Sequence, residues 1–148
     1  MAANYRVISH VAEVKAALRE QIARAAEVCR GTMESHAKQE ITKGVYDTPE
    51  TWYRRTGLLR NSITAQVTED DGDTCVVVGT NVEYAPYVEL GTGVYASDGG
   101  GRSTPWAYIG SDGQRHVTVG MRPRPYLRPA VEDNAEEYKR IISTELRR

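Results

Sequence analysis

The sequence predicts an α+β domain in which antiparallel hairpins form a sheet packed against a long N-terminal helix and a C-terminal helix. Three observations carry that expectation. An apolar stripe of helical period occupies the first forty residues, two pairs of short strand-like runs are each joined by an Asp/Gly turn, and a second helical stripe follows Pro125. The 148 residues amount to one domain, and a globule of that size buries roughly 70% of its unfolded surface. Hydrophobic residues at 40% and charged residues at 26% are the composition of an ordinary folded protein.

Val11, Val14, Leu18, Ile22, Ala25, Cys29 and Met33 recur three and four apart, which lays one stripe along a helix over 9–43. Ser9 is its expected N-cap, Glu13 suits the positive end of the helix dipole, and Gly31 is expected to bend or weaken the middle. Asp47, Thr48 and Pro49 break the pattern. The first hairpin is expected over 54–80. The basic stretch 52–60 leads into a strand with Ile63, Ala65 and Val67 on one face, Asp70-Asp71-Gly72-Asp73 turns the chain, and 75–78 returns. A short helix over 84–91 has Pro86 in its first turn, Tyr84, Tyr87 and Val88 on one face, and Gly91 at its end.

Loop 94–104, centred on Gly99-Gly100-Gly101, is too rich in glycine to hold one conformation unaided. A second hairpin over 105–120 turns at Ser111-Asp112-Gly113, and a final helix over 125–147 carries Val131, Ala135, Tyr138, Ile142 and Leu146 as its buried stripe.

The chemistry-bearing residue types do not converge. His10, His36 and His116 are scattered, the two cysteines lack metal-ligand spacing, and Asp70-Asp71-Gly72-Asp73 lacks the alternating ligands of a calcium loop. Gly91-Thr92-Gly93 is not followed by the Gly-Lys-Ser/Thr of a phosphate cradle, and no Gly-x-Ser-x-Gly elbow occurs. The expectation is a protein without catalytic residues, metal or cofactor. No run approaches ~20 apolar residues, and residues 1–6 lack a signal peptide's apolar core, so synthesis in a cytoplasm with no membrane partner is expected.

The net charge of −1 restricts any nucleic-acid contact to a local patch. Such a patch exists: within 102–128 five arginines (102, 115, 122, 124, 128) face one acid, Asp112. Pro123, Pro125 and Pro129 stiffen that stretch, so its guanidinium groups are presented at fixed places to phosphate, to an acidic partner, or to carboxylates such as Glu83 and Glu89. Nine tyrosines and no phenylalanine suit half-wet contacts.

Three separated motifs resemble one family. They are Arg55-Thr56-Gly57-Leu58-Leu59-Arg60-Asn61-Ser62-Ile63; Val78-Gly79-Thr80-Asn81 with Tyr84-Ala85-Pro86-Tyr87-Val88-Glu89-Leu90-Gly91-Thr92-Gly93; and Arg124-Pro125-Tyr126-Leu127-Arg128-Pro129-Ala130. In order and spacing they resemble the HK97 gp10-like family of tailed phages, from about Arg55 to the C-terminus. Tyr126 stands where that family often has Phe, which adds a hydroxyl in need of a partner.

The resemblance implies a virion protein of the neck, assembled in the host cytoplasm as a ring of sixfold symmetry matching a tail tube, between the head connector or completion proteins and the tail terminator or tube. Packaged double-stranded DNA would pass through its lumen. It implies that Arg55, Arg60, Tyr84, Tyr87, Glu89, Arg124 and Tyr126 organise a structural junction and a subunit joint, with Glu89 accepting from an arginine. Ser97, Asp98, Gly99, Gly100, Gly101, Arg102 and Ser103 form the expected partner-docking loop. A tail terminator and a DNA-binding module are the alternatives.

Overall fold

In the computed structural model, which describes residues 9–49 and 55–148, helix α1 runs Val11–Ile41 and continues into one π-turn at Thr42–Tyr46. His10, not Ser9, is the N-cap residue, and its Nδ1 pairs with Glu13 at 2.7 Å instead of capping the backbone. Gly31 interrupts nothing, because it lies on the exposed face within a continuous helix. The π-turn closes when Asp47 N–H donates to the Thr42 carbonyl at 2.8 Å, and Thr42 Oγ1 donates back to Lys38 O at 2.6 Å.

Only part of the α1 stripe is covered. Ala25, Cys29, Met33, Ala37 and Ile41 are buried, whereas Val11, Val14 and Leu18 are 58%, 64% and 47% exposed.

The stretch expected to lead straight into a strand instead makes a helical turn, α2 (Leu58–Ser62), entered through Gly57 at φ 77. Arg54 and the rest of 50–54 lie outside the described residues. Strands β1 (Thr64–Asp70) and β2 (Asp73–Gly79) then pair antiparallel, joined by Asp71 and Gly72 at φ 47 and 89, the left-handed pair a two-residue hairpin turn demands. Ile63 and Ala65 point inward, as their alternation predicts. Glu34 of α1 fastens this edge by accepting from Ala65 N–H at 3.1 Å and Lys38 Nζ at 2.6 Å. The lysine first, then the amide, hold its carboxyl below the usual range.

Helix α3 (Ala85–Leu90) follows, then a short 3-10 turn at Gly93–Tyr95, then β3 (Trp106–Ile109) paired antiparallel with β4 (Arg115–Thr118). The hairpins do not join into the single sheet expected; they are two separate two-stranded ribbons. The first lies against α1, while the second makes no more than marginal contact with any helix.

The continuous C-terminal helix expected over 125–147 is also corrected. It is broken into α4 (Leu127–Glu132) and α5 (Ala135–Glu145), because Asn134 Nδ2 donates to the carbonyls of Pro129 (3.3 Å) and Ala130 (3.1 Å) and ends the first piece. The break re-phases the stripe: Ala130 and Tyr138 are buried, but Val131, Ile142 and Leu146 stay exposed.

One core cluster joins Ala37, Ile41, Leu59, Ile63, Ala85, Tyr126 and Ala130; a second joins Cys29, Met33 and Tyr138. The Tyr138 hydroxyl donates to Ala130 O at 2.6 Å, so the contact from His36 Nδ1 at 2.9 Å has the imidazole as donor. Both cysteines are free thiols, and burial pushes that of Cys29 up. Among the described residues no helix is long and apolar enough to cross a membrane.

Candidate functional site

The second and third motifs meet along a backbone seam. Thr92 N–H donates to Met121 O at 2.8 Å, Val94 N–H to Val119 O at 3.0 Å, and Arg124 N–H to Val88 O at 2.8 Å, while Thr92 Oγ1 accepts from Met121 N–H at 2.9 Å. The proline-stiffened stretch is therefore pinned beside the end of α3 and is not a free arm. Glycine permits the approach. A Cβ on Gly93 (φ 62) would overlap the Val119 carbonyl, and one on Gly120 (φ 131) would overlap that of Thr92. Gly91 (φ 78) would meet Met121 O and Pro123 at 2.8 Å.

Glu89 belongs to the same seam, but not as an arginine acceptor. Its carboxylate accepts three backbone N–H groups at the start of α4: Tyr126 at 2.7 Å, Leu127 at 3.0 Å and Arg128 at 3.0 Å. It makes no ion pair among the described residues, because the open helix end already supplies its donors. Glu89 thus locks α3 to α4 within the chain.

Tyr126 is also internal. It is 0% exposed, and its hydroxyl has no hydrogen-bond partner among the described residues. Burial, then the nearby Glu89 carboxylate and Tyr84, push its phenol up to about 12; burial, then Glu137 and Cys29, do the same for Tyr138. Both pKa values lie above the unfolded value of about 10, so the folded state keeps protons that the unfolded chain releases. Stability should be intact below pH 10 and fall as pH rises to 12, by on the order of 2 kcal/mol per tyrosine. Denaturant melts across that window check this. Tyr126→Phe should remove its share of the alkaline fall and gain about 1 kcal/mol at pH 7, since an unsatisfied buried hydroxyl costs desolvation without return.

Four other residues singled out by the sequence gather around one cavity of about 680 Å³, where Arg55, Tyr84, Tyr87 and Arg124 meet Tyr46, Tyr108 and Met121. Arg55 donates to Thr48 O at 2.6 Å, Thr48 Oγ1 at 2.9 Å and Pro49 O at 3.2 Å, tying down the exit from the π-turn. Arg60 lies apart, its guanidinium 5.1 Å from the Tyr46 ring centre. Arg122 stacks over Tyr95 at 4.7 Å and Arg102 over Trp106 at 5.9 Å. The expected pairing of Arg122 and Arg124 with Glu83 or Glu89 is absent among the described residues.

The glycine loop has partners within the chain. Ser97 donates to Leu90 O through both N–H (2.8 Å) and Oγ (3.0 Å), Gly100 N–H donates to Asp98 Oδ1 at 3.0 Å, and Gly101 packs so closely on Gly93 that a Cβ would overlap its carbonyl. Ser103 remains exposed beside the Arg102–Thr104 contact. Sequence reasoning names Thr92 only within its motif and gives Gly120 no role, although both lie where two segments touch across the seam. It also passed over the outward face of the second ribbon, where Ile109 and Val117 are 68% and 65% exposed.

No group of three His, Cys, Asp or Glu side chains among the described residues is arranged to hold a metal. In comparison with known families, the family described as "Bacteriophage HK97-gp10, putative tail-component" matches residues 6–91. That span takes in α1, the first motif and the second as far as Gly91, and stops short of the motif at Arg124. No curated protein and no solved structure matches the chain.

Proposed function

We propose, from the premise that this chain belongs to the HK97 gp10-like family of bacteriophage tail components, that it is a non-enzymatic ring protein joining the head to the tail. The observation that carries this reading is the apolar surface a lone copy leaves in water: Val11, Val14 and Leu18 on α1, and Ile109 and Val117 on the second ribbon. Apolar faces at opposite structural elements, on a body tied together by the Glu89 lock and the glycine seam, suit a rigid subunit repeated around an axis. One side of the ring would meet the connector or completion proteins and the other the terminator or tube, with packaged DNA in the lumen; sixfold symmetry matches a tail tube.

Electron microscopy of particles assembled without this protein tests the reading. Full heads beside unattached tails of normal length are expected. Overgrown tubes would transfer the protein to tail termination, and joined, infectious particles would refute both roles.

A further inference from the structure

We infer that the outward face of the β3–β4 ribbon of one copy seats in the groove between α1, α5 and β2 of a second copy. The inference deepens the ring reading by naming its joint. In the ribbon, Trp106, Tyr108, His116 and Thr118 are half-buried on the inner face. The outer face pairs Ala107 with Val117 and Ile109 with Arg115, all exposed. A ribbon destined for water carries polar residues on that face. Here it carries two large apolar side chains and one arginine, and Arg115 has no hydrogen-bond or ion-pair partner among the described residues.

The receiving groove, of about 360 Å³, is lined by Ile22, Ala25, Met33, Val76, Ile142 and Leu146 among others. The exposed stripe of Val11, Val14 and Leu18 prolongs it along α1. Thr74 also lines it, next to the first hairpin's turn, where Glu69, Asp70, Asp71 and Asp73 are all exposed and none has a cationic partner among the described residues.

Charge selects the occupant. Residues 102–128 carry an excess of four positive charges in a chain of net charge −1, so the remainder sums to −5. Arg115 on the outer face of one copy's ribbon therefore complements the acidic turn beside the groove on the next, with the apolar residues desolvated between them. Duplex DNA would leave Ile109 and Val117 unmatched, and the acidic turn beside the groove would repel its phosphates. Ribbon and groove are different patches, so the contact repeats head-to-tail, and the ring reading takes that repeat as closing around an axis.

The test uses purified full-length chain. Val117→Glu blocks the ribbon and Ile142→Glu blocks the groove; Ile109→Glu is a second ribbon block should the first fail to fold, with circular dichroism melts as the control. Sedimentation velocity at high micromolar concentration should show wild type larger than a dimer and each variant alone monomeric. An equimolar mixture of the two variants should form dimers and stop there, because one intact joint remains between an unblocked ribbon and an unblocked groove. Arg115→Asp, and added salt on wild type, should weaken assembly. A monomeric wild type, a folded variant that still assembles, or a mixture that stays monomeric would overturn the inference. These outcomes are read on the isolated protein, so failure here is separable from a different phenotype in the assembled particle.

Discussion

Gly120→Ala is expected to cost the fold about 3 kcal/mol or more, and Gly93→Ala a similar amount. Each glycine combines two demands that alanine cannot meet. Gly120 sits at φ 131 and Gly93 at φ 62, where a side chain strains the backbone, and each would drive a Cβ into a carbonyl of the facing segment. The neighbour cannot yield cheaply, because the contacted groups are main chain held by hydrogen bonds from Thr92 to Met121 and from Val94 to Val119. Gly99 is the internal comparison: its φ of 73 is also left-handed, but nothing lies within 4 Å of the missing Cβ, so Gly99→Ala should cost only about 1–2 kcal/mol. Chemical denaturation of the three variants separates strain from overlap. Equal losses at Gly99 and Gly120 would show that the seam does not depend on close approach.

The parts of the fold legible in the sequence were those written in local periodicity. The Asp71-Gly72 turn announces its own hairpin, because only residues tolerant of positive φ fit there, and the three-and-four spacing from Val11 to Met33 fixes α1. What failed depended on contacts distant in sequence. Periodicity joins Val131 to Leu146 in one stripe, yet Asn134 spends its side-chain amide on the Pro129 and Ala130 carbonyls, and the helix breaks. The alternation of each hairpin is local, but whether two hairpins share a sheet is decided by edges that no local pattern encodes.

The site divides the same way. Arg55, Tyr84, Tyr87 and Arg124 converge on one cavity, although the sequence offered only their presence in neighbouring motifs. Tyr126 looked like a contact residue because its hydroxyl needs a partner, but its ring is wholly buried in the core. Conversely, the outward face of the second ribbon looked like an ordinary strand, since a buried and an unpartnered apolar face have the same alternation.

Glu89→Ala should cost about 3 kcal/mol, because charge-assisted hydrogen bonds contribute more than neutral ones. Three N–H groups at the start of α4 lose their acceptor together, and Tyr126, which opens that helix, is a fully buried core residue with little access to replacement water. Glu89→Gln keeps one carbonyl acceptor but turns an NH₂ toward an amide donor, so roughly half the loss should remain. A double-mutant cycle with Arg124→Ala distinguishes this cap from the arginine pair that the sequence invites. With no ion pair between them, the coupling should stay below about 0.5 kcal/mol. Coupling well above that would restore the ion pair and remove Glu89 as the lock between α3 and α4. A small coupling with a large single loss means that this glutamate holds the subunit's own frame rigid, leaving the exposed apolar faces to form the joints.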